Sequence, residues 1–152
     1  MKLNAPELGD ENELKEKHGY MGENVNPALQ IEDVPEKANA LALVFEDPDA
    51  QEMAGKTWLH WLVWNIPADT GRIESDESPG IEGTTDFKKT GYNGPNPPDG
   101  EHEVVFKLYA LNEELDLQEE ATLDEFEEAI GGKVVVKTEL KAVYPYDHIV
   151  RD

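Results

Sequence analysis

Three residues able to do acid–base or anion chemistry stand at comparable places, each at or near the end of an apolar run. Asp47 opens "DPDAQ" (47–51), with Asp49 beyond Pro48, where "LALVFE" ends. His60 falls early in "TWLHWLVWNI", and His102 opens "HEVVFKLYALN". A carboxylate beside an imidazole favours its protonated form, and an imidazolium donates charge-assisted hydrogen bonds to an anion. The plainer alternatives are an Asx-turn around Pro48 and histidines that merely pack or bond at strand ends. The elements that carry these residues decide between the readings.

A period of two puts Leu41, Leu43, Phe45 and Asp47 on one face of the first run, with Ala42, Val44 and Glu46 on the other. In the second, Trp58, His60, Leu62, Trp64 and Ile66 alternate with Leu59, Trp61 and Val63. Both faces are apolar, which predicts a central strand whose tryptophans serve the core. His102, Val104, Phe106, Leu108 and Ala110 share one side of the third. If the first two strands pair antiparallel and the third runs parallel to the second, Asp47, His60 and His102 meet at one sheet end. Pro95, Pro97 and Pro98 of "GPNPPDGEH" would rim that end, since proline fixes φ and holds a loop still at no ordering cost.

Residues 67–101 hold five prolines and six glycines, which excludes a helix or a central strand and predicts one long excursion of the kind that carries function. Residues 1–40 are polar, with a short strand and turn in "GENVNPALQIEDVP". Residues 113–128 carry nine acids and no base, a solvated face. A helix begins there at Thr122, with Glu125 as its capping-box partner and Leu123, Phe126 and Ile130 as its apolar stripe, and stops at Gly131–Gly132. "KVVVKTELKAVY" is a last strand. Several strands, one helix and long loops, with no internal repeat, predict a mainly β protein: an antiparallel β-sandwich of two sheets with one or two short helices. His18 and His148 lie in polar terminal segments and carry no signal.

With 152 residues the chain is expected to form a single domain, 1–152. The absence of cysteine excludes disulfides and thiolate metal sites. Against 13 Lys and Arg stand 34 Asp and Glu, a formal charge of −21 that repels nucleic acid and anionic membrane surfaces. Such self-repulsion is relieved where salt is concentrated, which suggests halophilic adaptation, although 11 Lys to 2 Arg is the reverse of the usual halophilic preference. No signal-peptide h-region and no stretch of about 20 apolar residues is present, so a cytoplasmic location and no membrane span are expected. No serine or cysteine stands in a nucleophile context, and no cofactor is expected; the reading is a binding protein, not an enzyme.

"DPDA", the "WLHW" strand, "TGYNGPNPPDGEH" and "FKLYAL", in this order and at these separations, resemble the phosphatidylethanolamine-binding protein family, specifically its bacterial and archaeal, kinase-inhibitor-like branch. The resemblance runs from about residue 22 to 145. It implies a two-sheet β-sandwich with a small anion-binding pocket at one end, shaped for phosphate groups. It assigns Asp47, His60 and His102, with Pro95, Asn96, Pro97 and Pro98, to ligand binding. Asp49, Trp58, Tyr92 and Gly94 support the pocket. The partner it implies is a small phosphorylated or anionic ligand, and some members act on proteins. Three positions depart from the family pattern: Gln51 replaces a rim proline, Val104 a tyrosine that reaches the anion, and Thr85 in "GTTDF" a pocket asparagine.

Rival readings are a protein-interaction module with a degenerate pocket, and a metal site of two histidines and one carboxylate built from Asp47, His60 and His102. A D-x-D phosphatase of the haloacid-dehalogenase type would need alternating helices and parallel strands, and the chain has one good helix.

Overall fold

The computed structural model describes residues 1–50, 55–97 and 100–148. Among these residues eight strands form two antiparallel sheets. The smaller has the order β1-β2-β5, from Lys2–Asn4, Leu29–Glu32 and Arg72–Ile73. The larger has the order β6-β4-β3-β7-β8, from Ile81–Glu82, Trp58–Pro67, Ala40–Asp47, His102–Leu111 and Val134–Tyr144. Among the described residues one α-helix, α1, spans Leu123–Ala129.

The sequence explains the layering. Leu41, Leu43 and Phe45 of β3 enter a core shared with Leu3, Leu29, Ile31 and Ile73 of the small sheet, while Ala42 and Val44 face Leu115, Ala121 and Phe126. The large sheet is therefore the middle layer, covered by the small sheet on one face and by the 113–130 segment on the other. All eight residues of β3 are buried, and it is this strand that lies at the centre. The nine acids of 113–128 are exposed, with Leu115 and Phe126 pointing in beneath them. At the helix N-terminus the capping box forms as the sequence predicts: Glu125 N–H donates to the Thr122 hydroxyl oxygen and Thr122 N–H to the Glu125 carboxylate.

Strict alternation fails in β4, and the failure matters. Trp61 pairs with Phe45 and Leu59 with Glu46, so His60 is an extra residue on its strand, a β-bulge. A second irregularity leaves Asn65 at φ +54°. As a result Trp61, Val63 and Ile66 enter the inter-sheet core, whereas Leu59, Leu62 and Trp64 lie on the helix side. The expected grouping of His60 with Leu62 and Trp64 is thus corrected: His60 packs with Phe45 on the inter-sheet side.

The 67–101 excursion is not structureless either. It contributes β5 and β6, then bonds along the outer edge of β4: Gly83 N–H to Leu62 O, Asp86 N–H to Leu59 O and Asn93 N–H to His60 O. A loop does the work of a strand, so β4 has bonded neighbours on both sides. At the N-terminus, β1 was not legible in the polar sequence.

The two anchors of the helix side differ in kind. Phe126→Ala removes a fully buried ring and should lower the unfolding free energy by about 3–5 kcal/mol, whereas Thr122→Ala removes only a cap and should cost about 1 kcal/mol. Urea titration at fixed salt checks this; equal costs would mean that α1 is not a layer of the core.

Candidate functional site

Both neighbours of β3 run antiparallel to it, so the C-terminal end of β3 meets the starts of β4 and β7. Asp47 lies opposite Trp58, and His102 opens β7. Asp47, His60 and His102 are all buried at this end, 4%, 3% and 5% exposed.

Asp47 and His102 are in direct contact. The His102 Nδ1–H donates to Asp47 Oδ2 over 2.5 Å, and Asp49 N–H donates to Asp47 Oδ1 over 2.8 Å. Pro48–Ala50 forms a 3₁₀ turn, and the Asp49 carboxylate accepts the Glu103 N–H, 2.9 Å. The two aspartates of "DPD" therefore divide the work. Asp47 holds the histidine, and Asp49 ties the turn to β7. Burial raises the Asp47 carboxyl above its usual range, with the bond and charge of His102 pulling the other way.

His60 is held differently. Its Nδ1–H donates to the Asn93 carbonyl over 2.7 Å, and its Nε2 is buried with no hydrogen-bond partner among the described residues. The ring sits between Phe45 and Phe87, at centroid distances of 5.2 and 5.5 Å. Burial lowers its pKa from 6.5 to about 4, outweighing the Asn93 bond and the charge of Asp86. His60 is therefore neutral near pH 7, with Nε2 a bare acceptor. The expectation of two imidazolium groups charged by Asp47 is corrected: Asp47 reaches His102 alone.

Asp86 and Asn93 were not singled out in the sequence, yet they make the bulge. Asp86 accepts the Leu59 N–H, 2.7 Å, and the Lys56 ammonium, 2.8 Å, while its own N–H donates to Leu59 O. Their signal was present in "GTTDF" and "GYNGP", but both act through backbone bonds that composition does not show. Thr85 is buried and structural, its hydroxyl donating to Lys89 O and accepting the Phe87 N–H. Val104 is fully buried in the inter-sheet core.

The proline loop closes over this end against the N-terminal segment. Tyr92 stacks on Phe45 and donates its hydroxyl proton to His18 O, 2.7 Å, and Pro95 O accepts the Tyr20 N–H, 3.0 Å. Gly94 packs so tightly on this segment that a Cβ there would lie 1.9 Å from His18 O. Pro95 and Pro97 are buried, Asn96 is exposed, and Trp58 meets Phe87 edge-on at 5.8 Å. Pro98 and Gln51 lie outside the described residues. Tyr20 stacks on the other side of this cluster with Phe87, 4.9 Å, and carries the Lys89 ammonium over its ring, 5.7 Å from the centroid. His18, set aside in the sequence, is fully buried; Lys15 N–H donates to its Nδ1, and burial lowers its pKa to about 4.

Among the described residues no three His, Asp or Glu side chains are arranged to hold a metal ion. In the Asp47, His60 and His102 set, the Nδ1 atoms of both histidines are already engaged.

A histidine whose folded pKa lies near 4 costs nothing at high pH. Its cost grows as pH falls from about 6.5 to about 4, reaching about 3 kcal/mol below that. The unfolding free energy of the native chain minus that of His60→Gln should therefore drop by about this amount between pH 7 and pH 4 in urea titrations at constant salt. A constant difference would mean that His60 does not change protonation on folding.

The sequence and the fold have known counterparts. The sequence model described as phosphatidylethanolamine-binding protein matches residues 4–145. A UPF0098 protein of Methanothermobacter thermautotrophicus is 36% identical over 151 residues, covering 95% of this chain and 98% of the relative. The UPF0098 protein YbhB of Escherichia coli is 37% identical over 137 residues, covering 80% and 85%. Among solved structures, a phosphatidylethanolamine-binding protein homologue of Chlamydia trachomatis superposes with TM-score 0.88 at 27% identity, covering 99% of this chain and 97% of that one. Escherichia coli YbcL superposes with TM-score 0.84 at 26% identity, covering 95% and 97%. On the match across residues 4–145, this chain belongs to the phosphatidylethanolamine-binding protein family.

Proposed function

We propose that the chain is a binding module for a small anionic ligand with a phosphate-like group, taken up in a shallow pocket where Asp47, His60 and His102 stand. The observation that carries this reading is the buried, unpartnered Nε2 of His60 beside a buried carboxylate–imidazole pair. A buried polar atom left without a partner costs roughly 1–3 kcal/mol. A cost of that size is understandable where a ligand supplies the missing bond. The family's name points the same way, since phosphatidylethanolamine carries a phosphate in its headgroup.

The geometry sets a condition on the ligand. His60 Nδ1 donates to Asn93 O, so Nε2 of the neutral ring accepts, and the ligand must offer a donor there. A singly protonated phosphate supplies one in its hydroxyl; a fully ionised group binds only if His60 takes up a proton as it binds. Either route strengthens binding as pH falls, because a phosphate monoester gains its proton near pH 6 and a bound anion raises the His60 pKa toward neutrality. In this reading the role is binding without chemistry. The exposed acids are in this reading an adaptation to a high-salt cytoplasm.

The test is a titration with phosphate and with phosphoserine at high salt, following the NMR signals of the four histidines from pH 5 to pH 8. Shifts should concentrate on His60 and His102, strengthen toward pH 5, and vanish in His102→Ala and His60→Ala. Affinity that stays flat over this range would sink the proton-linked mechanism. If no histidine moved at millimolar ligand, anion binding itself would fail and the protein-interaction reading would replace it.

A further inference from the structure

The outer edge of β8 is left open by the fold. β8 pairs with β7 along one side. On the other side the described residues cover only its C-terminal end: Leu14 N–H donates to Val143 O, 2.8 Å, and the Asn12 amide to Lys141 O, 3.1 Å. The N–H and C=O of one residue in an antiparallel strand point the same way, alternating along the chain. Since Lys141 and Val143 point outward, so do Glu139 and Lys137, and among the described residues no backbone group bonds to them from outside. The opposite side of this sheet has no comparable gap, because the 83–93 loop bonds to β4.

This open stretch is self-complementary. Val136-Lys137-Thr138-Glu139-Leu140 has an apolar residue at each end and opposite charges placed symmetrically about Thr138. When two such edges pair antiparallel around a two-fold axis, outward residues must face outward residues, so the axis passes through a residue. An axis at 137 sets Lys137 against itself. An axis at 139 sets Glu139 against itself and Lys137 against Lys141. An axis at 138 sets Lys137 against the partner's Glu139 twice and Val136 against the partner's Leu140 twice. Like charges directly opposite destabilise a strand pair and opposite charges support it, so one register is selected.

We propose that β8 is a self-recognition edge, where a second copy of this chain adds antiparallel about Thr138 and joins the two large sheets into one. Lys137 already bridges Glu139 of its own strand at 3.2 Å, so pairing closes a square of alternating charge. Val136 and Leu140 are only partly buried, and they lie on the core-side face, where the second copy would cover them. The register shift that leaves Val135 unpaired with β7 ends the ladder near the place where the Asn12–Leu14 segment begins to cover the partner strand. Lysine on an edge strand ordinarily discourages pairing. Here the glutamate two residues on supplies its complement in the second copy. The net charge of −21 on each copy opposes association at long range, and salt screens that field more than it screens contact pairs, so dimer should increase with salt.

The test is sedimentation of the native chain at low and at about 1 M salt, with Lys137→Glu and Glu139→Lys run singly and mixed. Each variant alone places like charges opposite across the pair and should be monomeric where the native chain dimerises. Their equimolar mixture restores both cross-strand pairs while leaving the like-charge neighbours within each strand, so it should recover the dimer. In a chain without cysteine, Thr138→Cys should cross-link on mild oxidation, because a non-hydrogen-bonded pair with Cα atoms about 4.5 Å apart fits a disulfide; Lys137→Cys should not. A native chain monomeric at both salts, a dimer indifferent to the charge variants, or a mixture that stays monomeric would each overturn the proposal.

Discussion

The buried Asp47 carboxylate is the constraint around which one end of the protein is arranged. A charge in such a place is tolerable only if its oxygens are bonded, and each has a partner: the Asp49 N–H on Oδ1 and His102 on Oδ2. The first bond needs the tight turn at Pro48, which is why a proline stands between the two acids. The second needs β7 beside β3 in the register that pairs Glu46 with Val105. Asp49 then fixes that register by taking the Glu103 N–H. Remove the carboxylate and the turn, the strand start and the histidine lose a common partner.

His60 occupies its place for a different reason. A regular β4 would carry it with Leu62 and Trp64 toward the helix side. The bulge re-aims it between Phe45 and Phe87, and Asp86 stabilises the bulge by bonding both backbone groups of Leu59. The cost is an imidazole with one nitrogen satisfied and one not. Among the described residues the buried Nε2 of His18 is unpartnered too, so it is the Asp47–His102 pair beside His60 that makes this end the proposed site.

The strands that carry the site were legible because alternation in "LALVFED" and "HEVVFKLYAL" is regular, and Asp47 and His102 lie on the core side as period two requires. The N-cap at Thr122 was legible because a capping box is local chemistry. His60 was identified as a residue but misplaced on its strand, since a bulge depends on which backbone groups a distant loop offers. The same limit hid β1, β5 and β6, which are too short to show a period, and hid Asp86 and Asn93, whose roles lie in main-chain bonds across the fold. His18 looked like a solvated terminal residue because nothing in its neighbourhood reveals that Tyr92, Gly94 and Tyr20 will pack the proline loop onto it.

The charge of −21 and the site are reconciled by where the acids are not. The nine acids of 113–128 cover the helix face of the large sheet, one layer removed from the small sheet, and the long-range field they create is screened by salt. At the His60 end the carboxylates of Asp47 and Asp86 are already committed, Asp47 to His102 and Asp86 to Leu59 and Lys56, while Lys89 sits one aromatic ring beyond Phe87. An approaching anion therefore meets a global repulsion that ions in solution weaken and a local environment that they weaken much less. The same asymmetry governs the β8 edge, where Lys137 and Glu139 are in contact and the rest of the two copies repel at a distance. On the two proposals made above, recognition of an anion and pairing at the β8 edge should both strengthen as ionic strength rises, the reverse of recognition that depends on long-range attraction.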